Sequence, residues 1–266
     1  VRPNESGPLH TTRGKQNICG AAIMNVDDDT SLLVDKLTSL RLPGMKATLK
    51  DILEVQKKTN LTTLEVLHRL CDEERENRLF SAIKRRISDA RFPEINTVDQ
   101  FDFDTDPTRK KLRARYLALH DLSFLAKGKN PLFIGTPGTG KTFLARSLAH
   151  KACSQNKRVV CTSAPRMLNE LHGAELHGTL DIKLRRYVKA DLLLIDDFAV
   201  LAMDAAQAKL AFTVISERYD YRRSTMITTN RMFKDWPKVF PDALTAEVIA
   251  KRLTERSEHF LLDGKA

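Results

Sequence analysis

Residues Gly135-Thr136-Pro137-Gly138-Thr139-Gly140-Lys141-Thr142 read G-x-x-x-x-G-K-[ST], and no other stretch of this 266-residue chain restricts its folding so tightly. An apolar run, Pro131-Leu132-Phe133-Ile134, leads in. Phe143 to His150 follows, with apolar residues at 144, 145, 148 and 149, which is a helical spacing. Strand, glycine turn and helix in that order is the context in which this pattern wraps a polyphosphate. Glycines let successive backbone N–H groups face one anion, and the helix N-terminus adds partial positive charge. The segment Gly135 to Phe143 is therefore expected to line a nucleoside triphosphate. Lys141 would reach the β- and γ-phosphates, and the Thr142 hydroxyl would sit on Mg²⁺. A chance glycine turn would require strand, turn and helix to agree by accident.

Downstream, strand-like runs recur at Val159–Thr162, Leu192–Ile195, Thr225–Thr229 and His259–Leu262, with helical stretches between them. That alternation predicts a five-stranded parallel sheet with helices on both faces. Asp196 and Asp197 close the third run. A buried strand ending in carboxylates delivers them to the crevice where open α/β sheets bind ligands. Asp196 would hold Mg²⁺, directly or through water, and Asp197 would polarise the attacking water as a general base. A solvated turn acid is the plainer alternative for each. Asn230, at the end of the fourth run, would orient that water, or else stabilise the turn before Arg231. Arg252, near the end of the last helix, would act as an arginine finger in a neighbouring subunit's site; Arg256, one turn on, competes with it, and an exposed helix cation is the alternative.

An apolar fraction of 42% with 29% charged residues suits a soluble globular protein with a sizeable core. Cys19, Cys71, Cys153 and Cys161 show no C-x-x-C spacing, so reduced, cytosolic thiols and a cytoplasmic location are expected. No apolar run is long enough to span a bilayer. The seven histidines form no metal constellation and no nucleophilic Ser or Cys motif is present. Met24 is the expected natural start, which would make the first 23 residues an upstream extension or disordered tail, and residues 1–30 are set apart on that basis. A small-molecule kinase would need an acceptor pocket and a cationic lid after the core, for which few residues remain.

Residues 31–92 read as a helical domain. Leu33, Leu37 and Leu40 form one stripe, closed by Pro43-Gly44; Met45, Leu49, Ile52 and Leu53 form a second. Thr62-Thr63-Leu64-Glu65 is a capping-box start for a third helix, carried on through Leu79, Ile83 and Ile87 to an exit at Phe92-Pro93. Residues 93–108 are acidic and lack helical periodicity, which reads as a linker or extended arm. A basic helix opens at Arg109, and 109–266 form the nucleotide-binding domain.

The net charge of +10 is uneven: 21 basic against 18 acidic residues in 1–120, and 23 against 16 in 121–266. A basic nucleotide-binding domain suits a polyanionic partner, although solubility charge explains it equally well. Candidate phosphate contacts are Arg109, Lys110, Lys111 and Arg113; Lys183, Arg185 and Arg186; and Arg222 with Arg223. With little aromatic interleaving, these clusters suit sequence-independent duplex binding better than base stacking on single strands.

Taken in order, these pieces resemble the IstB-type ATP-binding proteins, transposition helper ATPases of bacterial insertion sequences and relatives of the helicase loader DnaC. The resemblance runs from about Leu32 to the C-terminus. It rests on Asp35-Lys36-Leu37 through Met45, Glu74 to Arg78, Gly135 to Thr142, Ala164-Pro165-Arg166, Leu193 to Asp197, Ile215 to Tyr219, Ser224 to Asn230, Trp236 and Arg252-Leu253. It implies an AAA+ core behind a small helical domain, ATP-dependent self-assembly on duplex DNA, and stimulation of a partner transposase. It gives Arg252 more weight as the finger. A helicase loader gripping a replicative helicase is the alternative, and a module that binds ATP without hydrolysis is another. Asp197 departs from the Glu found in many AAA+ ATPases, and the shorter side chain would slow hydrolysis or require a water relay. Only about a dozen residues follow Leu253, so no helical lid with a second sensor Arg is expected, and nucleotide closure would come from a neighbouring subunit or the N-terminal region.

Overall fold

The computed structural model describes residues 26–263, with side chains from Asp29 onward; the segment 1–23 and the proposed start at Met24 lie outside the described residues. Two compact units are present, one ending at Asn77 and the other beginning at Arg78, with the division inside a long helix.

The first unit contains α1 (Val26–Ser39), α2 (Pro43–Thr59) and the beginning of α3 (Thr63–Ala90). Its core is Leu37, Leu49, Ile52, Val66 and Leu70. Of the first expected stripe only Leu37 is buried, because Leu33 and Leu40 face outward. Pro43-Gly44 does not only close α1. It also opens α2, whose N-cap residue, Leu42, has no side chain able to cap. A distant carboxylate does the capping instead. Glu74, buried on α3, accepts from the Gly44 N–H at 2.7 Å and the Met45 N–H at 3.3 Å, where the positive end of the helix dipole favours an anion. Gly44 permits this approach: a Cβ there would lie 2.7 Å from the Glu74 Cα. The capping box of α3 forms as expected, with Glu65 accepting from the Thr62 N–H at 2.7 Å and its hydroxyl at 2.8 Å. α3 ends at Ala90, and Arg91 takes the left-handed conformation just before Phe92-Pro93.

In the second unit, residues 93–108 follow α3 as a strap on the core. Phe103 is buried, and the Phe101 ring packs beside Phe143 at 5.6 Å. Asp106 caps α4 (Pro107–Ala118) by accepting from the Thr108 N–H, so the basic helix starts two residues before Arg109, with Pro107 in its first turn. A short α5 (Ser123–Ala126) leads to β1 (Asn130–Gly135). Then come α6 (Lys141–Ser154), β2 (Val159–Ser163), α7 (Ala164–Leu176), α8 (Leu180–Val188), β3 (Leu192–Asp196), α9 (Ala205–Asp220), β4 (Ser224–Thr229), α10 (Ala243–Thr254) and β5 (Ser257–Leu262).

All five strands are parallel, in the order β2-β3-β4-β1-β5. Every residue of β1, β3 and β4 is buried, which explains the apolar runs of β1 and β3; in β4 four of the six buried residues are Ser or Thr. Alternate side chains serve opposite faces. Leu193, Ile195 and Ile227 meet α7, α9 and α10, while Leu192, Leu194 and Met226 meet α4, α6 and the strap. No helix among the described residues is long and apolar enough to cross a membrane.

Glu74→Ala should destabilise the first unit by about 2 kcal/mol, since it removes a charged acceptor from two helix-terminal amides. Chemical denaturation followed by circular dichroism checks this, and Glu74→Gln should recover part of the loss.

Candidate nucleotide site

Three strand ends make the site. Because β4 lies between β3 and β1, the loop after β1, the carboxylates after β3 and the threonines of β4 open at one C-terminal edge. The crest Thr136-Pro137-Gly138 is exposed, whereas Thr139 and Lys141 are buried. Gly138 and Gly140 have φ of 79° and 90°, values that cost a glycine little and a side chain much. At Gly140 a Cβ would also meet the Phe101 ring at 2.5 Å, so the strap closes against the loop. Gly140 caps α6 and points the first N–H groups of that helix at the loop's concavity.

Lys141 folds back so that Nζ donates to the Thr136 carbonyl at 2.6 Å. Burial lowers its pKa, and the carboxylates of Asp197, Asp196 and Asp263 oppose that shift. Asp196, buried, is the hub. Its Oδ1 accepts from the hydroxyls of Thr142 at 2.8 Å and Thr228 at 2.5 Å, and its Oδ2 accepts from Arg146 at 2.9 Å. Thr228 also accepts from the Asp197 N–H at 2.9 Å. Asp197 sits at φ 54° with its carboxyl exposed beside the loop. Partial desolvation, then the Asp196 charge, raise its pKa, while Lys141 and Arg146 act against the rise.

This donor set fits a Mg²⁺-nucleotide. Lys141 and the α6 amides supply positive charge where phosphates would lie. Thr142 and Asp196 supply hard oxygen ligands at hydrogen-bonding distance from one another, as a divalent cation needs.

Asn230 follows β4 at the same edge, exposed and without a hydrogen bond among the described residues. Arg252 is elsewhere. The Leu253 carbonyl accepts from the Asn130 side chain at 2.9 Å, and Asn130 starts β1; the end of α10 therefore lies at the sheet's N-terminal edge, away from its own loop. There Arg252 packs over Phe212 at 5.0 Å and Tyr219 at 5.6 Å, with Nη1 buried and unbonded. Arg256 lies over Tyr219 at 4.5 Å and donates to its carbonyl at 2.8 Å. Neither reaches the site within its own chain.

The basic candidates divide. On α4, Lys110 and Arg113 face Asp104 at 3.9 and 3.7 Å, Arg109 covers the Phe101 ring at 5.2 Å, and Lys111 has no ion pair among the described residues. On α8, Lys183 and Arg186 pair with Glu170 at 3.2 and 3.6 Å, while Arg185 is exposed and has no ion pair among the described residues. Arg223 pairs with Asp191 at 3.0 Å, and Arg222 is exposed at a left-handed turn.

Sequence reasoning missed Arg146, Thr228 and Phe101. Arg146 lies four residues after Thr142, hence on the same face of α6, a signal that was available. Thr228 stood two residues before a strand end already singled out. Phe101 left no local trace, since its contact with Gly140 joins segments almost 40 residues apart.

A sequence model of the IstB-like ATP binding proteins matches residues 35–266. An insertion-sequence ATP-binding protein of Geobacillus stearothermophilus is 32% identical over 85% of this chain and 89% of its own length. Another, from Bacillus thuringiensis, is 33% identical over 88% of this chain and 92% of its own length. Among solved structures, the DnaC helicase loader superposes with a TM-score of 0.55 at 20% identity, covering 62% of this chain and 96% of that one. Domain III of the Thermotoga maritima replication initiation protein DnaA gives 0.53 at 23% identity, covering 66% and 69%. At such identities these likenesses speak for the AAA+ fold alone.

Thr228→Val keeps the shape of the side chain but removes a donor to Asp196 and an acceptor for the Asp197 amide. It should cost about 1–3 kcal/mol of stability and lower ATP turnover, while fluorescent-nucleotide binding through the loop persists. Unchanged turnover would show that the Asp196 hub does not depend on this hydroxyl.

Proposed function

The chain belongs to the IstB-like ATP-binding protein family, and from that membership we propose that it is a Mg²⁺-dependent ATPase. In this reading it assembles on duplex DNA as a homo-oligomer and stimulates a partner transposase. The observation that carries the reading is the junction of Lys141, Thr142, Asp196 and Thr228 across three adjacent strand ends. ATP with its metal supplies the phosphoanhydride bond and the charge that polarises it. Lys141, now on the Thr136 carbonyl, would bind phosphate oxygens, and Thr142 with Asp196 would hold the metal. Asp197, its basicity raised by its surroundings, takes a proton from the attacking water, which Asn230 helps to orient.

Arg252 and Arg256 are the finger candidates, and they sit at the sheet edge away from their own loop. A role in hydrolysis therefore requires a second subunit, which links turnover to assembly. The names of the insertion-sequence relatives support a place in transposition. The DnaC likeness is one of fold, so it does not favour helicase loading.

Three measurements test this. ATP turnover and assembly should both respond to added duplex DNA; no response in either would overturn the reading. Lys141→Ala should abolish nucleotide binding and nucleotide-dependent assembly, seen by fluorescent-nucleotide titration and light scattering. Arg252→Ala should leave ATP binding intact and lower turnover by about a thousandfold, the effect of losing a trans-acting arginine. Mixing it with Lys141→Ala subunits should restore part of the rate, because each variant keeps what the other lacks.

A further inference from the structure

The N-terminal edge of the sheet, opposite the nucleotide loop, holds two adjoining hollows of about 650 and 590 Å³. Both are lined by Arg158, Arg185 and Lys189, so they form one continuous furrow. Arg86 and Arg91 extend it on one side and Arg223 on the other. Its position follows from the topology: Arg158 immediately precedes β2 and Arg223 immediately precedes β4.

The charge balance is positive after internal pairing. Asp191 takes up Arg158 at 3.5 Å and Arg223 at 3.0 Å, and Asp89, Asp181 and Glu217 also border the furrow. Arg86, Arg91, Arg185 and Lys189 have no ion pair among the described residues. The Arg86 Nε–H is buried in the wall without an acceptor, and a buried donor of that kind calls for one.

Arg218 lies behind two of the lining residues, Val188 and Ala190. Fully buried, it donates to the carbonyls of Tyr187 at 2.6 Å, Val188 at 3.1 Å and Ala190 at 3.0 Å, to the Ser224 carbonyl, and to the Thr225 hydroxyl at 3.0 Å. The partial negative charge at the end of α8 is thus met from inside, and the outward cations Arg185 and Lys189 stay free for an external anion. A small-molecule pocket encloses its ligand. This furrow is open, and guanidinium and ammonium groups stand along it among apolar wall residues such as Leu184 and Val188, with Tyr221 an exposed aromatic at one side. Such a lining neutralises a chain of phosphates without stacking bases.

We propose that this furrow seats the phosphodiester backbone of duplex DNA. The proposal rests on the DNA-assembly reading above and names the surface that reading leaves open. It places the DNA contact at the end of the sheet away from the chain's own nucleotide loop, so loss of the furrow's cations should spare nucleotide binding.

The test is fluorescence anisotropy of the full chain with a labelled DNA duplex across a salt series, in saturating Mg-ATP. In Arg185→Gln/Lys189→Gln, both side chains are exposed and unpaired, so folding should be retained, checked by circular dichroism and fluorescent-nucleotide binding. Affinity should fall about tenfold or more, and the slope of log affinity against log salt should shrink by about two. Lys127→Gln/Lys234→Gln makes the same charge change outside the furrow and should alter neither. If wild type binds duplex and the furrow variant binds equally with the same slope, the furrow is refuted while the DNA reading stands. An equal loss in both variants would mean general charge attraction and also refute it, as would tighter binding of a single strand than of duplex. If wild type binds no duplex at any salt, the DNA reading itself falls, and the furrow proposal with it.

Discussion

The placement of β4 between β3 and β1 is the constraint on which the rest of the second unit depends. It sets Thr228 beside Asp196 and sets both within reach of Thr142. Without that strand order, the glycine loop and the acidic strand would be two motifs far apart in sequence with no shared chemistry. Parallel pairing also buries β4 on both faces, which is why its polar residues Ser224, Thr225, Thr228 and Thr229 are all satisfied inside the sheet or at its ends. Threonine suits this duty: it is β-branched, favours strands, and carries one hydroxyl that can donate and accept.

The same sheet has two chemically different ends. At the C-terminal edge, glycine turns and helix N-termini gather N–H donors around Lys141 and leave carboxylates to hold a cation. At the N-terminal edge, helix C-termini would gather carbonyls, and the buried Arg218 answers them. Desolvation lowers its pKa to about 9, while the nearby Asp191 carboxylate favours its charge, and its hydrogen bonds all go to carbonyl and hydroxyl oxygens. An uncompensated buried charge would be costly. Here acceptors from the α8 end and from β4 compensate it, and in return they tie a helix to a strand that it does not follow in sequence.

Legibility in the sequence followed the range of the interactions. The P-loop, the five strands and the capping box at Thr62 are local patterns, and all appear within a residue or two of where the sequence puts them. The start of α4 is also a local pattern: Asp106-Pro107 is a cap followed by a first-turn proline, two residues ahead of the basic run at Arg109. The strap is different. Phe101 and Phe103 stand in an acidic stretch with no period, and only packing against Gly140, Phe143 and Tyr116 gives them a place. Likewise Glu74 reads as one charge among several on an exposed helix, yet it is buried and caps α2.

The sequence by itself determined the nucleotide loop, the α/β alternation and the family, because each is carried by residue types at short, fixed spacings. Tertiary structure alone decided which side chains surround Asp196, that Arg252 points away from its own site, and which cations remain unpaired. Those outcomes depend on strand order and on partners outside the element itself, such as Asp104 in the strap for α4 and Glu170 on α7 for α8. A count of charges cannot tell a paired arginine from a free one; the fold does so by bringing the carboxylates to some and not to others.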